Sequence, residues 1–207
     1  MTVRRTRRLR RLPVLPLLGA LLTGCGIQAT EVPTDFGGAP SRVPCSPSGP
    51  SDASAQSSRG VPVQVFLLCG SSLVAVDRTV RVPDGTPDAR RRVFVAQGLL
   101  DLLAASPSAA EKAAGYTTYV PGGLGAAGPD PGDPDDTLRL GTAPDRLAPY
   151  ALAQLVCTLS DSAATEGDGS VILGGPAGGA LRRYECTDDV RDHPGTTEPP
   201  SSEAAKG

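Results

Sequence analysis

Five cysteines carry most of the reactive side-chain chemistry in this 207-residue chain: Cys25, Cys45, Cys69, Cys157 and Cys186. No Cys-x-x-Cys pair occurs, and the single histidine, His193, stands near the C-terminal end. Zinc therefore lacks the ligand spacing it needs, and no metal is expected. A serine or cysteine nucleophile needs a positioned base. His193 alone does not promise one. Ser170, in Gly167-Asp168-Gly169-Ser170-Val171, misses the G-x-S-x-G elbow because Asp168 stands where its first glycine belongs. Asp130, Asp133, Asp135 and Asp136 are the densest acids. They fall in one Gly/Pro loop without the D-x-D-x-D-G order of a calcium loop, so a flexible, solvated acidic loop is expected. No catalytic residue and no cofactor is predicted.

The first eleven residues hold Arg4, Arg5, Arg7, Arg8, Arg10 and Arg11 and no acid. Leu12 to Leu22 is an apolar run broken by Pro13 and Pro16, too short to span a bilayer. A basic region, a short apolar region and small residues make a secretory signal over residues 1–24. The arginine pairs leave the general and twin-arginine export routes both open. Leu21-Leu22-Thr23-Gly24-Cys25 resembles the lipobox of bacterial lipoproteins. That resemblance implies a diacylglyceryl group on the Cys25 thiol, cleavage before Cys25, and a protein held at the outer face of the cell membrane. Two acyl chains hold stably where one does not.

Loss of the signal takes six arginines from the 20 basic residues and leaves 14 against 22 acids. An acidic chain of this kind argues against nucleic acid as a partner, because phosphate binding needs a basic surface. Residues 25–60 read as lipidated cysteine and linker, rich in Gly, Pro, Ser and Ala with little to bury. Residues 187–207 read as a disordered tail of similar composition. Between them, residues 61–186 make one ordinary domain. In an exported chain four cysteines beside Cys25 make disulfides the default. Of three connectivities, the preferred one joins Cys157 to Cys186 and Cys45 to Cys69, each closing a loop worth about 3 kcal/mol in chain entropy.

Several elements must position these residues. Val63, Val65 and Leu67 alternate with Gln64, Phe66 and Leu68, a strand that Gly70-Ser71-Ser72 turns into a second one over 73–82. Thr86-Pro87-Asp88 predicts a helix start with a hydroxyl cap. Val95, Ala96, Leu99, Leu102 and Leu103 give that helix its apolar stripe, and Gly98 within it predicts a close neighbour. Arg90, Arg91 and Arg92 read as a solvated face. Ser106-Pro107-Ser108 predicts a cap for a short helix through Ala114. Pro149 opens a second long helix with Leu152, Leu155, Val156 and Leu159 on one face. Strands are expected over 116–120, 137–140, 170–173 and 180–186, with a turn at 174–179. The sum is an α+β fold, a mostly antiparallel sheet with two helices on one face.

This pattern resembles the GerMN domain of spore-germination and actinobacterial lipoproteins. The carriers are the strand pair 63–67 and 73–78, Leu102-Leu103-Ala104-Ala105-Ser106-Pro107 followed by Glu111, Gly115-Tyr116-Thr117 to Pro121, and Gln154-Leu155-Val156-Cys157-Thr158-Leu159. Ser106 stands where the family usually has glycine. The resemblance covers about residues 61–175 and implies a streptomycete-type secreted lipoprotein without enzymatic activity. A binding or assembly role toward an envelope polymer or a membrane protein follows from it. A cell-wall hydrolase or its accessory factor stays open as an alternative. So does a regulator of a sensor kinase, as in LpqB-like lipoproteins, which add a propeller.

Overall fold

The centre of the fold is a strand with both faces covered. β1 (Val61–Cys69) carries Val63, Val65, Leu67 and Cys69 into the main core, and Phe66 and Leu68 into a second, smaller one. It is described in a computed structural model covering Cys45 and residues 60–165, 167–176 and 178–204. These residues belong to one compact unit, Arg42–Gly207. β2 (Ser72–Val80) returns antiparallel, with Val65 opposite Val76. Gly70 makes the reversal at φ +65°, a backbone state that glycine adopts without strain.

α1 (Asp88–Ala104) lies against this pair. Its buried stripe is Val95, Ala96, Leu99, Leu100 and Leu103, so Leu100 takes the deep place expected for Leu102, which is only partly buried. A Cβ on Gly98 would fall 2.5 Å from Cγ1 of Val80. The close neighbour predicted for Gly98 is therefore β2, and any side chain there would push the helix off the sheet. The predicted hydroxyl cap is absent. Pro87 occupies the cap position, and Thr86 instead donates to the Pro83 carbonyl. α2 (Ala109–Ala113) begins with a capping box, Ser108 and Glu111 each satisfying the other's backbone amide.

α3 (Pro149–Ser160) buries ten consecutive residues, Ala151 to Ser160. The predicted stripe describes one side of it. The helix packs on β1 and also on strands of a second sheet, so solvent reaches almost none of it. That second sheet runs β4 (Ala126–Ala127), β5 (Leu138–Leu140), β6 (Ser170–Gly174), β7 (Leu181–Glu185), β8 (Ser201–Glu203) in spatial order. Only β5 and β6 are parallel, and α3 lies in the crossover that parallel neighbours require. β3 (Tyr116–Thr117) completes the first sheet on the other edge of β1. The architecture is α+β and mostly antiparallel, as the periodicity predicts, with the strands shared between two sheets.

The tail corrects the expectation of disorder after residue 186. Thr187 caps α4 (Asp188–Asp192) by accepting from the Val190 amide, and Val190 is fully buried in the smaller core. β8 then pairs with β7, Tyr184 opposite Ser201. Polar, proline-rich composition shows little to bury. It does not show that a strand edge nearby offers backbone hydrogen bonds, nor that one valine and two prolines, 194 and 199, suffice to seat the segment.

Candidate functional site

Three places on the molecule concentrate chemistry. The first is the cysteines. Cys45 pairs with Cys69 at the end of β1, Cα atoms 5.9 Å apart, and Cys157 of α3 pairs with Cys186 just after β7, at 4.9 Å. This is the preferred connectivity of the sequence reading. Tyr116 adds a hydrogen bond to the Cys45 carbonyl, and burial followed by the Glu111 charge pushes its phenol pKa up. Cys25, the lipidation candidate, lies outside the described residues.

The second place is the acidic loop, which the structure shows to be neither free nor wholly solvated. The Arg139 side chain on β5 is 4% exposed and that of Asp133 is 0% exposed. Nε and Nη2 of Arg139 donate to the two Asp133 oxygens at 2.7 and 2.9 Å, the bidentate pairing typical of a strong ion pair. Asp130 adds a second carboxylate at 2.9 Å. Nη1 of Arg139 donates to the carbonyls of Gly175 and Gly179, so one guanidinium ties the acidic loop to the glycine turn after β6. Its pKa is raised by the hydrogen bond to Asp133, burial opposing. Asp136 faces Arg183 at 3.5 Å. The acids thus serve the scaffold. Alternation along Leu138-Arg139-Leu140 suggests an outward arginine, but all three residues are buried, Arg139 beneath the acidic loop and the glycine turn that it binds.

Beside this loop a cleft of about 290 Å³ opens toward the first turns of α1, walled by Arg92, Val93, Asp135, Asp136, Thr137 and Leu138. Arg92 donates to the Asp135 carbonyl at 2.9 Å. Its neighbours Arg90 and Arg91 are exposed, as predicted. The Thr137 hydroxyl has no partner among the described residues, yet it is closed to solvent and so offers no contact to a ligand in the cleft. Ser170 is held by Asp168 and by Arg183, and the Ser170 amide lowers the Asp168 pKa most. Among the described residues no three His, Cys, Asp or Glu side chains gather as a metal site.

The third place is aromatic and was not singled out from sequence. Tyr119 and Tyr150 stack with centroids 5.0 Å apart and planes at 24°. Tyr119 follows β3 and Tyr150 is in the first turn of α3. The chain between β3 and α3 brings the rings together through Gln154. Gln154 donates to the Phe66 carbonyl at 2.9 Å and accepts from the Tyr119 amide at 2.8 Å. Thr158, one turn on, accepts from the Phe66 amide at 2.9 Å. Two fully buried polar side chains at i and i+4 thereby do the work of a missing strand beside Phe66. The signal for them was the polar pair inside an otherwise apolar helix.

Glu111 stands in the first turn of α2. Burial pushes its carboxyl up, but hydrogen bonds from Arg78 and the Ser108 amide and the Arg78 charge outweigh burial, and its pKa lies below the ordinary value of 4.5. No protein-family model, curated protein or solved structure matches the chain.

Proposed function

We propose that the chain is an exported lipoprotein, held at the outer face of the cell membrane by a diacylglyceryl group on Cys25. Its folded part serves as a non-catalytic, GerMN-like binding domain toward an envelope partner. One observation carries the reading: Cys45, Cys69, Cys157 and Cys186 pair with one another. Disulfides persist in oxidising compartments outside the cytosol. Their pairing also leaves Cys25, the fifth cysteine of the chain, without a partner among them, as a lipidated thiol requires. The residues that carry the GerMN resemblance have local work that supports it. Ser108 and Glu111 make the capping box, and Gln154 and Thr158 hold the edge of β1.

Metabolic labelling with a long-chain fatty acid tests the anchor. The wild-type chain takes label and fractionates with membranes. Cys25→Ser loses the label and is either released or left uncleaved. Label that persists in Cys25→Ser would overturn the anchor. Incubation with purified peptidoglycan tests the binding role. Cleavage abolished by a single carboxylate substitution would replace it with the hydrolase reading.

A further inference from the structure

Tyr119 is 52% exposed, and among the described residues only it and Phe94 are large apolar side chains left so open to solvent. In a chain with four tyrosines, three phenylalanines and no tryptophan, an exposed ring stacked on a second ring is a substantial part of the aromatic content. The pair is also held rigidly. The Tyr119 amide is bound by Gln154 of α3, and the preceding Thr118 hydroxyl donates to the Leu103 carbonyl of α1 at 2.6 Å. Gly195 approaches Tyr150 so closely that a Cβ there would lie 2.1 Å from the ring carbon Cζ. Both long helices and the tail thus fix the two rings before any partner arrives, which lowers the entropy cost of binding.

The sequence around the rings is uncharged. Tyr119 lies in residues 113–129 and Tyr150 in residues 147–160, and neither run contains Asp, Glu, Lys or Arg, although 20% of the chain is charged. Exposed residues of these runs include Thr117, Pro121, Gly122, Gly123, Ala148 and Pro149. Tyrosine presents an apolar ring face together with a hydroxyl, at low conformational cost. A partner that matches has flat C–H faces, many hydroxyls and no charge. A pyranose ring has all three. A proline-rich peptide needs a groove between aromatic rings. Here the rings cover each other and leave Tyr119 one open face, a platform and not a groove.

We propose that Tyr119, backed by Tyr150, is a binding platform for an uncharged polysaccharide. The proposal deepens the binding role above and rests on it, naming the class of envelope polymer. The test is isothermal titration of the full chain carrying Cys25→Ser, so that failure of the anchor and failure of the platform are read separately. The probes are chitotetraose, maltotetraose and a decaproline peptide. At least one of the two uncharged sugars binds. Tyr119→Ala weakens that binding by at least about tenfold, as loss of a central aromatic contact does. Phe94→Ala leaves it unchanged. Thermal melts of both variants confirm that they fold. Tyr119→Phe, which keeps the ring, retains most of the affinity. Absence of binding by both sugars, equal affinity in Tyr119→Ala, or binding of decaproline alone would overturn the proposal.

Discussion

The acidic loop around Arg139 and the surface around Tyr119 make opposite use of side-chain chemistry. The first gathers charge and buries it. Arg139 and Asp133 are enclosed, and each neutralises the other. The second has no charged residue in its own sequence runs and leaves a ring half open to solvent. The difference teaches that density of chemical groups is a poor guide to function in this molecule. The groups most suited to acid–base chemistry are consumed in joining β5 to two loops. The groups with the least reactive chemistry are the ones presented outward on a rigid support.

Substitutions can break this contrast at either end. Arg139→Met leaves Asp133 buried without its cation, and breaking a buried pair from one side costs about 3–5 kcal/mol. Urea unfolding should show a loss of that size, with the double variant Arg139→Met/Asp133→Leu recovering part of it. Gln154→Leu acts where scaffold and platform meet. It strips a partner from the buried Phe66 carbonyl, at about 1–3 kcal/mol when left unpaired, and from the Tyr119 amide, which is only partly buried and which water can reach. Stability falls less than for Arg139→Met, and amide hydrogen exchange rises at Tyr119 before it rises in β5.

The Glu111–Arg78 pair gives a smaller, pH-dependent effect. The folded-state pKa of Glu111 lies below the ordinary 4.5. Its contribution is therefore present above about pH 4.5, and is lost as pH falls through the depressed value. Unfolding midpoints measured at neutral pH and near pH 3 should differ less in Glu111→Gln than in the wild type. Tyr119→Ala has the smallest effect on stability, within about 0.5 kcal/mol, as an exposed substitution should. A larger loss in its melting curve would mean that the ring belongs to the scaffold and would erase the contrast.

Much of the fold was legible in the chain because it depends on local periodicity. The β1–β2 alternation, the stripe of α1, the close approach at Gly98 and the cap before α2 follow from residues near in sequence, while the disulfide pairing was a preference among three connectivities. Local reading missed the cap by one residue, because α1 starts at Asp88 and puts Pro87, not Thr86, at the cap position. Elsewhere a distant edge decided the outcome. Residues 187–204 looked unable to fold because most of the gain comes from β7, Tyr150 and the part of the smaller core that lies outside them.

Sequence alone determined most of the elements and the acidic balance of residues 25–207, since these depend on residue type, spacing and count. Tertiary structure decided which polar groups are spent and which are available. Arg139 is buried because the acidic loop and the glycine turn close over its face of β5. Gln154 replaces a strand because β3 stops at Thr117. Tyr119 meets Tyr150 where Gln154, one turn after Tyr150 in α3, accepts from the Tyr119 amide. Each outcome depends on contacts between residues far apart in the chain, and no local pattern encodes those distances.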